Sequence, residues 1–91
     1  MPWAVQPVGA NANQEVVPEN NRRESLMIFN NGTTTIFVSG NAAPLTDGVP
    51  LAPGAALIFK KIEGDNVQER LYGQVAAGTG ELRITEGVPV K

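Results

Sequence analysis

Apolar and polar positions alternate in short bursts along this chain, and glycine, proline or asparagine interrupts nearly every burst. Leu26 and Ile28 alternate with Ser25, Met27 and Phe29, and Ile36 and Val38 frame Phe37. Leu71, Gly73 and Val75 share one face of a later segment, as do Leu82 and Ile84. A period of two sends successive side chains to opposite faces of an extended backbone, so each burst predicts a strand. Further short strands are predicted at Glu15 to Val17, Thr34 to Ser39, Val49 to Leu51 and Ala55 to Lys60, the last entered through a tight Pro53-Gly54 turn. No segment of adequate length carries the helical period. About six or seven short strands between turn signals predict an all-β fold, a small antiparallel β-sandwich or barrel that is jelly-roll-like.

Two hairpins are expected. Asn31-Gly32 stands between apolar runs, and both residues tolerate the positive φ angles of a type I′ turn. A second turn over Ala77 to Thr79 would join the last two strands. Gly40 to Gly54, GNAAPLTDGVPLAPG, reads as a long surface connection. The core candidates are Val16, Leu26, Ile28, Ile36, Val38, Leu51, Leu57, Phe59, Leu71, Val75, Leu82 and Ile84.

The first residues, MPWAVQPVGANA, break this pattern, because Pro2 and Pro7 disfavour helix and no alternation is long enough for a strand. The segment 1–12 is expected to be an extended N-terminal arm ahead of a β-sandwich domain over 13–91. An arm that carries Trp3, Val5 and Val8 is not composed like a solvated linker. Pro2, Trp3, Val5, Pro7 and Val8 are therefore the candidate partner-binding residues. The arm either packs on a neighbouring subunit or folds back so that Trp3 covers one end of its own domain.

Composition narrows the function further. The chain has 91 residues, 42% hydrophobic and 18% charged, which is a globular balance. A fold of this size buries only about 60–65% of the surface its unfolded chain exposes, so the core is thin. Neither cysteine nor histidine is present, which removes disulfide staples and the usual ligands of a structural metal. Self-association or docking on a larger body is the remaining support, and a homo-oligomer is expected. The net charge is -2, without a basic run longer than Arg22-Arg23 or Lys60-Lys61, so nucleic acid is not an expected partner. No apolar run approaches the roughly 20 residues that cross a bilayer, and no cleaved signal is apparent, so a soluble chain without a membrane partner is expected.

Candidate chemistry is sparse. The absence of histidine and cysteine removes many hydrolytic and redox mechanisms, and the carboxylates sit in turns or beside Arg and Lys, as in Glu69-Arg70 and Glu81 near Arg83. No catalytic, cofactor-binding or metal residue is assigned, and no small-molecule substrate is expected. Asn31-Gly32-Thr33 matches a glycosylation acceptor, but the turn needs the same Asn-Gly. Gly78-Thr79-Gly80 lacks the third glycine of a nucleotide fingerprint, and Asp47-Gly48 and Asp65-Asn66 lack the repeated oxygens of a calcium loop. Arg22-Arg23 reads as a solvated charge beside a strand start. Phe29, Phe37 and Phe59 fall within strands, where core packing is the default, which leaves Tyr72 and Trp3, two separated rings that do not make a stacking platform for a sugar.

The order of features from Pro18 onward carries a resemblance. Arg22-Arg23, Leu26 to Gly32, Thr46 to Gly54 and Ala76 to Ile84 together resemble a class of small bacteriophage virion proteins, among them capsid decoration or cement proteins and the base domains of head fibres and spikes. The resemblance covers about three quarters of the chain and rests on turn and core positions. It implies a protein without an active site that binds the outer surface of an assembled capsid, with the major capsid protein as partner and the capsid exterior of the virion as location, after synthesis in the host cytoplasm; decoration proteins of this kind are often trimeric, and a trimer, which would also cover the thin core, is the favoured homo-oligomer. The alternative it implies is a head-fibre or spike base, or a module that binds host-surface carbohydrate.

Overall fold

The computed structural model describes residues 4–10, 14–60 and 69–87. Among these residues eight strands and one helical turn follow in order: β1 (Ala4–Val8), β2 (Glu15–Val17), β3 (Ser25–Asn30), β4 (Ile36–Ser39), α1 (Pro44–Asp47), β5 (Val49–Leu51), β6 (Ala56–Lys60), β7 (Leu71–Val75) and β8 (Gly80–Gly87). They form two four-stranded sheets, sheet A in the order β1-β8-β3-β6 and sheet B in the order β2-β7-β4-β5. All ladders are antiparallel.

The pairing has a simple logic. β1 pairs with β8, β2 with β7, β3 with β6 and β4 with β5, as though the chain were one long hairpin folded at the segment around α1. That ribbon then rolls up, so that β8 meets β3 and β7 meets β4. This is the jelly-roll topology, in which two sheets close over one core. The all-β sandwich expected from the alternation is the observed fold.

The roll overturns both expected hairpins. β3 lies in sheet A and β4 in sheet B, and β7 and β8 are divided likewise. Asn31-Gly32 is therefore an arch between sheets, and positive φ occurs only at Gly54 and Gly78 among the described residues, so no type I′ turn forms there. Asn30 holds the arch. Its buried side-chain amide donates to the carbonyls of Thr34 (2.9 Å) and Leu51 (2.8 Å), while its carbonyl oxygen accepts the Gly32 N–H (3.0 Å). Gly32 is needed for close approach, since a Cβ there would stand 3.3 Å from the Glu81 backbone nitrogen. The Pro53-Gly54 turn does form as expected: Gly54 has φ +81° and the Ala55 N–H returns to the Ala52 carbonyl at 3.0 Å, the features of a type II turn.

β2 buries Val16 and Val17 in succession at its irregular register, while most other strands turn one row of side chains inward. In β3 these are Leu26, Ile28 and Asn30, and they meet Ile36, Val38, Leu51 and Val75 from sheet B, with Val8, Leu82 and Ile84 beside them. All twelve expected core residues are buried or packed against the buried cluster, which also contains Val8 and Val17. The arm reading needs correction at Ala4–Val8: the backbone is extended, but it is a strand of the chain's own sheet, with Val8 only 1% exposed. Prolines misled here because Pro7 sits on an edge strand, where a missing N–H is tolerated.

Arg23 is the other correction. It is fully buried, whereas Arg22 is exposed. Its guanidinium donates to the Pro18 carbonyl (3.2 Å), the Glu69 carbonyl (3.0 Å) and the Glu86 carboxylate, tying the ends of β2, β7 and β8 together. A planar fork of five donors can serve three acceptors at once, which explains how a charge lies inside a small protein.

Candidate functional site

Sheet A has one face in the core and the other toward solvent. Because Leu26, Ile28 and Asn30 turn inward, Met27 and Phe29 must face outward. Strand register then sets Val5, Arg83, Phe29 and Ala56 in one row across β1, β8, β3 and β6. The adjacent row holds Thr85, Met27 and Ile58, and on the other side Pro7 stands opposite Glu81. Val5 and Ile58 are 56% and 57% exposed, while Met27 and Phe29 are half-buried. The outer face thus carries neighbouring apolar side chains on β3 and β6, while Val5 of β1 is separated from Phe29 by Arg83 of β8.

A shallow depression of about 320 Å³ lies on this face, lined by Met27, Phe29, Asn31 and Arg83. Its polar rim is internally paired. The Glu81 carboxylate accepts from the Asn31 amide at 2.8 Å and from Arg83 Nε at 2.7 Å. Donation from Asn31 first, and from Arg83 second, holds the Glu81 carboxyl below its ordinary range. Covering this rim therefore opposes no unpaired charge, and the apolar floor gains from being covered.

A second depression, of about 360 Å³, is lined by Glu19, Asn20 and Asn21. Beside it Arg70 reaches Glu19 at 3.2 Å and Glu15 at 3.6 Å. The hydrogen bond to Glu19, then that to Tyr72, then the charge of Glu15, raise the Arg70 pKa. All three charged groups are well exposed, and such pairs contribute little. Among the described residues no cluster of three carboxylates, histidines or cysteines could hold a metal.

The candidate partner-binding residues separate. Val5 and Pro7 lie exposed on the outer face of sheet A; Val8 points into the core and cannot meet a partner. Pro2 and Trp3 lie outside the described residues, as does Asp65-Asn66. Phe29, expected in the core, faces outward. The run Leu26-Met27-Ile28-Phe29 is apolar on both faces, so periodicity could show that two faces would be covered but not which one by the protein's own core. Comparison of the chain with protein-family models, curated proteins and solved structures returns no match.

Proposed function

We propose that this protein is a non-enzymatic capsid decoration protein of a bacteriophage, which seats the outer face of sheet A on the major capsid protein at the shell exterior and braces adjoining subunits. The observation that supports it is the apolar tract of Phe29, Met27 and Ile58 with its internally neutralised rim, and Val5 exposed beyond Arg83 on the same face. The resemblance of the turn and core positions to virion proteins points the same way. A module that binds assembled shell and not free subunits stabilises the shell by mass action, and many symmetric copies multiply a modest affinity. Capsids of the source virus, stripped of accessory proteins, are expected to take up the purified chain and to resist heat better with it bound. Val5→Asp and Phe29→Ser should lower uptake at least tenfold at unchanged melting temperature. Stripped capsids that ignore the parent protein would refute the function; full uptake of both variants would refute the face.

One feature favours a second reading. Phe29 beside the Asn31 amide and the Arg83 guanidinium is a combination of ring and donors suited to a sugar. A glycan array bound by the parent protein and not by Phe29→Ser, with no uptake by capsids, would replace decoration with host-surface carbohydrate recognition.

A further inference from the structure

Among the described residues the two sheets present four edge strands, and three of them are blunted. β1 contains Pro7, which lacks an N–H, and the Pro7 carbonyl already accepts Gln14 Nε2 at 2.7 Å and Gln6 Nε2 at 2.9 Å. β2 has three residues and an irregular register between Glu15 and Val17. β5 also has three, with Pro50 in the middle. β6 differs: ALIFK is five residues in unbroken register with β3, has no proline, and ends sheet A on its outer side. The Asn30 N–H donates to Ala55 O at 3.0 Å, which sets the phase of the ladder. By antiparallel alternation the backbone groups of Ala56 and Ile58 point away from β3, toward the open edge.

We infer that β6 pairs with β6 of a second copy of this chain, antiparallel about a two-fold axis through Ile58, to join two A sheets into one continuous sheet. The occupant follows from self-complementarity. In that register Ile58 faces its own copy, Leu57 faces Phe59 of the second copy, and Ala56 faces Lys60 of the second copy, so no like charges oppose each other. Leu57 and Phe59, only half-buried in the single chain, gain cover along the seam, as does Ile58 on the outer face. Five residues span about 17 Å, so the contact falls below the roughly 1,000 Å² of a firm interface and the association is weak and concentration-dependent. This inference concerns the free chain and does not rest on the capsid reading.

Sedimentation velocity of the full chain from about 10 μM to 1 mM, the range of weak complexes, tests it. The weight-average mass is expected to rise toward twice that of one chain. Hydrogen exchange at the Ile58 amide should slow at least fivefold across the same range. Ile58→Lys and Ile58→Pro should stay monomeric with an unchanged far-UV CD spectrum, whereas Val49→Lys, at an equally exposed residue of β5, should associate as the parent does. A single-chain mass at 1 mM, a limiting mass of three chains, or undiminished association of Ile58→Lys would each overturn the inference. Ile58→Lys keeps the test open if the proline variant does not fold.

Discussion

Replacing Arg23 by alanine probes the fold where it is least expected to tolerate change. Three segments meet at this guanidinium: the Pro18 carbonyl after β2, the Glu69 carbonyl before β7, and the Glu86 carboxylate in β8. Alanine removes the largest fully buried side chain, orphans two carbonyls and leaves Glu86 without its cation. An orphaned acceptor costs about 1–3 kcal/mol when buried, with the low end applying to the carbonyls of the exposed residues Pro18 and Glu69, and breaking a buried ion pair from one side costs about 3–5 kcal/mol. These overlap and do not add. Glu86 is 36% exposed and can recover some hydration, which favours the lower end, about 3–4 kcal/mol. For a domain of this size that shift lowers the melting temperature by about 12–30 °C and consumes much of a typical total stability. Urea unfolding followed by far-UV CD reads it directly. Arg23→Met, which keeps the packed stem, should lose about 2–3 kcal/mol, and Glu86→Gln, which keeps an acceptor, about 1–2 kcal/mol. A loss below about 1 kcal/mol in Arg23→Ala would refute the reasoning, because the three bonds would then contribute no more than an exposed pair.

Asn30→Leu should cost about 2–4 kcal/mol, since the Thr34 and Leu51 carbonyls lose their donor; a urea midpoint within error of the parent would contradict this. Asn30→Asp should be worse near neutral pH and recover as pH falls, because a carboxyl facing two carbonyls is tolerated only when protonated; melts from pH 7 to pH 4 measure it. Glu81 gives the opposite sign: its folded pKa is lowered, so its contribution is present above the ordinary carboxylate range and fades as pH falls through the folded value. Glu81→Gln should flatten that part of the acid profile, and identical profiles for the two proteins would remove the Asn31–Glu81–Arg83 group from the account. Gly54→Ala and Gly78→Ala, at φ +81° and +78° with open space around each Cβ, should each lose about 1–2 kcal/mol from backbone strain alone, read as a lower melting temperature.

The strand positions other than β1, the tight turn at Pro53-Gly54 and the identity of nearly every core side chain were legible in the amino-acid order, because each depends on a residue and its near neighbours. A period of two needs only a few positions to declare itself, and φ preferences belong to single residues. The division of strands between sheets was not legible. Asn31-Gly32 has the local character of a hairpin turn, yet the arch forms because Asn30 finds acceptors at Leu51 and Gly32 approaches Glu81, far along the chain. The same non-locality decided that Ala4–Val8 would pair with β8, that Arg23 would meet Glu69 and Glu86 from distant segments, and that Phe29 would face outward. Alternation defines two faces on a strand, but only the second sheet, placed by pairings between the two ends of the chain, determines which face meets water.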